Sequence, residues 1–245
     1  ADNPRTVFVR PDATSANAVT GTSCLLPNYS GSNGLKNALT DAVASDVIVL
    51  CNDSLYGNSP ANRTFSISNT TLTVPVSLTA ELGNPLRRPK IMANNFSINT
   101  DPLAETTFTA LNFESSLATG SGTDCTTTAA CGGAIELKSG VLKIDRVLFK
   151  DNAAKYGGAI ALTSGNGSAT LEVDRSSFVN NTAETSGGAI FVAGSDEAVI
   201  TNSVFYENKV TSGNGSVVFA NTGTANLNFN TIVNNTGGAV LQGAG

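Results

Sequence analysis

Two short motifs alternate through the second half of the chain and constrain its fold more than any other feature. One is a glycine pair followed by alanine and a branched aliphatic residue, here called the GGA motif. The other is Phe-x-x-Asn, the FxxN motif, whose aromatic position recurs 29, 27 and 27 residues apart. Interleaved motifs with one shared period indicate a repeat protein. The GGA copies are 132–135, 157–160, 187–190 and 237–240, with 215–218 as a divergent copy, and the FxxN pairs are Phe149 and Asn152, Phe178 and Asn181, Phe205 and Asn208, and Ile232 and Asn235.

Each period contains two short segments in which apolar and polar residues alternate, as in a strand with one buried face. A period of about 27 residues leaves no room for a crossover helix, and no tight hairpin turn separates the segments. Strands that recur once per period therefore stack in parallel, coil on coil, roughly 4.8 Å apart. The sequence predicts an all-β protein, a parallel β-helix or solenoid.

This fold gives both motifs structural roles. Glycine pairs allow positive φ and close approach of neighbouring backbones at a corner, where stacked coils leave no space for Cβ atoms. The aromatic residues are expected to form an inward stack, and the asparagines a ladder of amides that bond from coil to coil. The residues assigned to structure are Phe149, Phe178, Phe205, Ile232, Asn152, Asn181, Asn208, Asn235, Gly157, Gly158, Gly187 and Gly188.

The first 55 residues differ from the repeats and predict an N-terminal cap that covers the first coil. The segment 7–9 suggests a strand, 33–43 is the one amphipathic helical stretch, and 46–50 suggests a buried strand. We therefore expect a cap over 1–55, built from a strand, a disulfide-bearing loop, a short helix and a strand. Coils are expected over 56–245 and onward beyond residue 245.

Four cysteines permit three pairings, and the sequence alone does not choose among them. We favour Cys125 with Cys131, which bracket a polar loop, and Cys24 with Cys51 near the N-terminus. Four buried thiols are the alternative. Disulfides favour an oxidising compartment, so we expect a secreted or cell-surface protein.

Composition excludes several classes of function. The chain has no histidine, which removes imidazole metal sites and the Ser-His-Asp and Cys-His arrangements of nucleophilic catalysis. Only 13% of the residues are charged and the net charge is -5, so no basic surface is predicted to bind nucleic acid. No window of 18 apolar residues predicts a membrane span, and we expect no metal and no cofactor.

The alternating GGA and FxxN motifs resemble the repeats of the chlamydial polymorphic membrane proteins and of the secreted right-handed β-helix proteins that share them. The match extends over roughly 132–240, and the 215–218 copy departs from the pattern. The resemblance implies a right-handed β-helix and a surface-exposed adhesive or architectural protein. It also implies an N-terminal cap, although the segment 34–39 matches the cap motif of such proteins only loosely.

One charged cluster and two tyrosines are the candidates for chemistry. Asp145 and Arg146 occupy the same place in their coil as Asp174 and Arg175 in the next, with Lys143 and Glu172 beside them. This predicts either a surface ladder of ion pairs or a binding site of the kind that β-helix enzymes use for acidic polysaccharides, with clustered carboxylates and a basic residue. Two further candidates, Tyr156 and Tyr206, are either platforms for sugar stacking or residues that pack at turns.

The sequence thus favours a non-enzymatic extracellular β-helix, a cell-surface adhesin or structural domain with no catalytic residue. Its partner is expected to be a host or cell-surface protein or glycan, or copies of itself. The alternatives are a subunit of a filament assembled end to end, and a polysaccharide lyase or hydrolase.

Overall fold

The computed structural model describes residues 4–11, 24, 27–51, 64–81, 88–122, 125, 130–164 and 168–243. It contains one short helix and many short strands. In chain order these are β1 (Thr6–Arg10), β2 (Tyr29–Ser30), α1 (Gly34–Thr40), β3 (Val47–Leu50), β4 (Thr64–Leu72), β5 (Ser77–Ala80), β6 (Lys90–Asn99), β7 (Glu105–Thr109), β8 (Asn112–Glu114), β9 (Ile135–Asp145), β10 (Leu148–Lys150), β11 (Ala153–Tyr156), β12 (Ile160–Leu162), β13 (Ala169–Asp174), β14 (Ser177–Val179), β15 (Thr182–Ser186), β16 (Ile190–Ala193), β17 (Glu197–Thr201), β18 (Val204–Tyr206), β19 (Lys209–Val210), β20 (Val218–Asn221), β21 (Thr224–Asn228), β22 (Thr231–Val233) and β23 (Leu241–Gly243).

The named strands pair in parallel and stack into ladders that surround one apolar interior, so the predicted parallel β-helix is confirmed. The front ladder consists of β1, β3, β5, β7, the second half of β9, β13, β17 and β21. The side ladder consists of the first halves of β4 and β6, followed by β8, β10, β14, β18 and β22. The back ladder consists of the second halves of β4 and β6, followed by the first half of β9, β12, β16, β20 and β23. Strands β11, β15 and β19 form a separate small sheet.

Stacked phenylalanine rings run through the interior beneath the side ladder. Ring centroids of Phe149 and Phe178, and of Phe178 and Phe205, are 4.8 Å apart with nearly parallel planes. Phe113 extends the stack in one direction, and Ile232 is in register with Phe205 in the other. Beyond the contribution of burying the rings, each stacked pair stabilises the fold by roughly 0.5–1.5 kcal/mol.

Asparagine side chains form a second ladder at the corner after the side ladder. The Nδ2 group of Asn181 donates to Oδ1 of Asn208 at 2.9 Å and to the carbonyl of Phe149 at 3.0 Å. Asn152 bonds to Asn181 in the same way, and Asn208 to Asn235. Because each Oδ1 also accepts a backbone N–H from the preceding coil, the ladder satisfies buried polar groups that the corner would otherwise leave unpaired.

A smaller polar ladder, which the sequence analysis missed, lies at the corner before the side ladder. The Oγ of Ser176 accepts the N–H of Val147, and the Oγ of Ser203 accepts the N–H of Ser176. Asn230 takes the same place in the following coil. These residues recur 27 residues apart, two positions before the stacked phenylalanine or isoleucine, which is the signal that the sequence contained.

The glycine pairs lie at the corner before the back ladder, and their two members meet different requirements. The first has positive φ, as at Gly157 with +63°. The second has no room for a side chain, because a Cβ on Gly158 would lie 2.2 Å from the carbonyl oxygen of Gly188 in the next coil. The first glycine of the pair is therefore required for its positive φ, and the second for the close approach of the backbone in the next coil.

The alignment expected for the last GGA copy, 237–240, is wrong by one residue. Strand pairing places Val218 opposite Leu241, so Leu241 occupies the position that Val240 was expected to take. The preceding coil carries Ser216 where the others have a second glycine, and the Ser216 N–H donates to the carbonyl of Ala239. A side chain at that position blocks the close approach seen at Gly158, so the next coil stacks in a different register.

The N-terminal elements join the solenoid directly. Strands β1 and β3 belong to the front ladder, and α1 is shorter than the predicted 33–43. The helix buries Leu35, Ala38 and Leu39 against the first coils. Arg5 on the chain entering β1 forms an ion pair of 2.7 Å with the buried carboxylate of Asp46, which precedes β3. The helix thus packs onto the apolar interior near the N-terminus of the chain.

Two disulfides join Cys24 to Cys51 and Cys125 to Cys131, the pairing favoured by the sequence analysis. Within the described residues no cysteine is free. Cys131 packs with Ala161 and Phe191 in a small apolar cluster outside the solenoid interior. The second disulfide therefore lies on the outer side of the coils.

One buried hydroxyl gives a prediction for stability. Thr106 is fully buried, and in the part of the chain that the structure describes its Oγ1 has no hydrogen-bond partner. Because an unpaired buried hydroxyl is unfavourable and valine has nearly the same shape, Thr106→Val should raise the free energy of unfolding by about 1 kcal/mol. Urea unfolding measures this. The partly exposed Thr107→Val is the control, and a loss of stability in Thr106→Val would show that the hydroxyl is bonded in solution.

Candidate functional site

A groove of about 430 Å³ lies on the outer surface of the front ladder. Its floor comes from β7, β9, β13 and β17, which place outward side chains in two columns. The columns are Thr107, Lys143, Glu172 and Val199, and Thr109, Asp145, Asp174 and Thr201. Side chains in one column are one coil apart because the strands are in register. The groove thus contains the charged cluster that the sequence analysis singled out.

Ion pairs connect the charged groups across coils. Asp145 accepts from Nε of Arg146 at 2.9 Å and from the guanidinium of Arg175, one coil away, at 2.8 Å. Arg175 also pairs with Asp174 at 2.9 Å. Lys143 lies 2.6 Å from Glu105 and 3.8 Å from Glu172. The result is a fixed pattern of alternating charge rather than a patch of one sign.

Both arginines project from left-handed backbone positions at the rim. The φ angles are 54° at Arg146 and 47° at Arg175, and about half of each side chain is exposed to solvent. Such positions are uncommon for residues other than glycine and asparagine. Asn202 takes the same place one coil on, where its amide donates to Asp174 at 2.8 Å.

The pKa values of two groove residues are shifted further from pH 7. A hydrogen bond from Asn202, together with Thr201 and the charge of Arg175, lowers the pKa of Asp174, although burial opposes the change. A hydrogen bond to Glu105 raises the pKa of Lys143, and Glu172 adds to the effect. Both groups therefore stay charged across the physiological range, as is typical of recognition by fixed charges.

Several groove residues were missed at the level of sequence. Thr107 and Thr109 line the groove, and Glu105 pairs with Lys143 beside it. All three come from an earlier coil, where no repeat motif marks them. Thr201 could have been found from its position 27 residues after Asp174. It hydrogen-bonds Asp174 across coils at 2.9 Å.

The two candidate tyrosines lie apart from the groove and from each other. Tyr156 packs against Phe191 with a ring-centroid distance of 5.1 Å, in the cluster beside the Cys125–Cys131 disulfide. Its surroundings are those of a packing residue. Tyr206 lies on the outer face of the side ladder and is 37% exposed, so its ring is accessible.

Comparison with protein families identifies the class. Residues 92–245 match the family model described as a right-handed β-helix region, and the chain belongs to that family. The matched segment includes the groove-forming strands and most of the side and back ladders, and it supports the right-handed sense expected above. No curated protein and no solved structure matched the chain in the two other comparisons.

No described helix is long and apolar enough to cross a membrane. No group of three or more Asp, Glu, Cys or His side chains is placed to hold a metal ion within the described ranges.

Proposed function

We propose that this chain is a non-enzymatic extracellular β-helix that acts as an adhesin-type domain and binds a surface protein through the front groove. The observation that carries the proposal is the alternating charge of the groove, held in place by ion pairs between coils. Fixed charges on a rigid scaffold provide specificity and steer association with a partner of complementary pattern. The resemblance of the repeats to adhesive passenger domains supports the same reading.

The electrostatics of the groove favour recognition over catalysis. A general acid or base works best with a pKa near the operating pH. The shifts of Asp174 and Lys143 run the opposite way, toward permanent charge. The two disulfides support an extracellular location.

Charge reversal in the groove tests the proposal. Labelled protein binding to cultured cells is measured by flow cytometry, with protease-treated cells to identify a protein receptor. Arg175→Glu should weaken binding about tenfold or more, because it replaces a cation at the rim by a third carboxylate beside Asp145 and Asp174. Added salt should also weaken binding of the unchanged protein, since exposed charges are screened.

The matched control changes the same charge elsewhere. Lys138 is exposed to a similar degree and pairs with Glu136 at 3.3 Å, away from the groove. Lys138→Glu alters the net charge as Arg175→Glu does and should leave binding within about twofold. Equal losses in both variants would show that net charge decides binding, and unchanged binding in Arg175→Glu would remove the groove from the interface.

A filament assembled end to end is the second reading. In the described residues β21, β22 and β23 pair on one side only, so a further strand of this chain or of another copy can add there. Electron microscopy of native material would show elongated assemblies. A charge at Ile232, which is partly buried against the apolar interior in the last strand of the side ladder, should abolish them.

A polysaccharide lyase or hydrolase is the third reading. It requires turnover of an acidic glycan that depends on calcium or carboxylates, and Asp145→Asn with Asp174→Asn should eliminate that turnover. Turnover that persists in the double variant would exclude the groove as its active site.

A further inference from the structure

We propose that the outer face of the side ladder carries a second binding site, centred on Tyr206, for a neutral carbohydrate. This site is separate from the front groove and does not depend on the function proposed for it. An aromatic ring, apolar neighbours and a row of carboxylates and amides meet on this face.

The apolar part of the site is formed by residues in register. Strand pairing places Val179 on one side of Tyr206 and Val233 on the other, one coil away in each direction. Val204 lies two residues before Tyr206 on the same face of β18. Three of these side chains are exposed, namely Val204 at 39%, Tyr206 at 37% and Val233 at 44%. A contiguous exposed apolar strip on a soluble protein commonly marks a binding surface.

The polar part follows directly at the corner after each of these strands. The corner column consists of Asp151, Asn180, Glu207 and Asn234, all exposed and all with φ between 52° and 56°. Asn180 donates to Asp151 at 2.6 Å across coils. Carboxylates and amides therefore alternate along the solenoid axis, one per coil.

Tyr206 connects the two parts. Glu207 adjoins Tyr206 at the corner, and its carboxylate raises the pKa of the Tyr206 hydroxyl. The Tyr206 side chain is 37% exposed on the outer face of β18, so its ring is accessible to solvent. A tyrosine in this position presents a flat apolar surface beside hydrogen-bonding groups.

The chemistry of this face selects a neutral sugar. The apolar face of a pyranose can stack on the ring while its hydroxyls donate to the carboxylates and accept from the amides. The corner column contains two carboxylates, and Lys150, in register with Tyr206 two coils away, already lies 3.8 Å from Asp151. Acidic glycans and phosphates are repelled by this charge, whereas a neutral glycan is not.

A glycan array followed by calorimetry tests the site. The array carries neutral oligosaccharides together with sialylated, sulfated and uronic-acid-containing ones, and the best neutral oligosaccharide is then titrated. We expect binding to at least one neutral glycan. Tyr206→Ala should weaken it at least tenfold, Tyr206→Phe should retain most of it, and Glu207→Gln should lower it by a smaller factor.

Two controls separate this site from the groove and from misfolding. Thr231→Ala changes an exposed residue on the same face, in register with Val204, and should bind as the unchanged protein does. Arg175→Glu removes the proposed groove function and should leave glycan binding intact. Circular dichroism confirms that each variant is folded. Binding by Tyr206→Ala at the original affinity, binding to acidic glycans or proteins only, or no glycan binding at all would overturn the proposal.

Discussion

Replacing Gly158 by alanine is expected to lower the melting temperature by roughly 6–12 °C, which corresponds to about 3 kcal/mol for a chain of this size. The added Cβ would lie 2.2 Å from the carbonyl oxygen of Gly188 and 2.7 Å from the backbone nitrogen of Thr182. Both contacts are with backbone of the next coil, which cannot move aside as a flexible side chain can. The coils must therefore separate locally, and the hydrogen bond from the Gly158 N–H to Gly187 is lost.

Ser216 provides the matched control for this change. It occupies the position of Gly158 two coils further on and already carries a Cβ. Ser216→Ala keeps that atom and loses only a long hydrogen bond of 3.3 Å to Ala239, so it should cost less than about 1 kcal/mol. Thermal melts by circular dichroism compare the two. A melting temperature for Gly158→Ala within about 2 °C of the unchanged protein would show that the corner can relax, contrary to the close approach seen here.

Replacing Asn181 by alanine is expected to destabilise the protein by about 3 kcal/mol. Its side chain makes four hydrogen bonds in a fully buried corner. Alanine leaves the N–H of Asn152 without its acceptor and removes a donor from the carbonyl of Phe149. Each buried group that loses its partner costs about 1–3 kcal/mol. Urea unfolding gives the total, and hydrogen exchange at the Asn152 amide should accelerate before the far coils are affected.

Two other asparagines, Asn235 and Asn180, provide controls for the Asn181→Ala substitution. Asn235, at the other end of the ladder, is only partly buried, so water can replace its bonds and Asn235→Ala should cost less. Asn180 adjoins Asn181 but is exposed, and Asn180→Gly retains the left-handed backbone that φ of 52° requires. It should change stability by less than about 1 kcal/mol. Equal costs for Asn180→Gly and Asn181→Ala would show that the buried ladder contributes nothing beyond the turn itself.

The regular coils were predictable because each repeat carries the same local information. Alternation of apolar and polar residues identified the strands after the GGA motifs, and the 27-residue period identified them as parallel. The earlier coils were harder to predict. Strand β4, over Thr64–Leu72, carries neither repeat motif. Phe113 precedes the next stacked ring, Phe149, by 36 residues, because a disulfide-closed loop is inserted between them.

The candidate sites were likewise predictable from the sequence only in part. Sequence spacing alone placed Asp145 over Asp174, since both follow equivalent strands. It could not bring Glu105 to Lys143, because those residues are separated by a coil of different length, and only strand pairing sets their register. Likewise, nothing in the sequence distinguished the packed Tyr156 from the exposed Tyr206. That difference depends on which neighbouring coil covers each ring.

The repeat, the strands within it, the inward phenylalanines, the corner glycines and the amides of the ladder were all predictable from the amino-acid sequence. These features follow from local periodicity and from the backbone limits of individual residue types, which act the same way in every coil. The register of the last coil, the groove of alternating charge and the accessible face around Tyr206 became apparent only in the folded chain. Those features are contacts between different coils, and they depend on how far each coil is offset from the next.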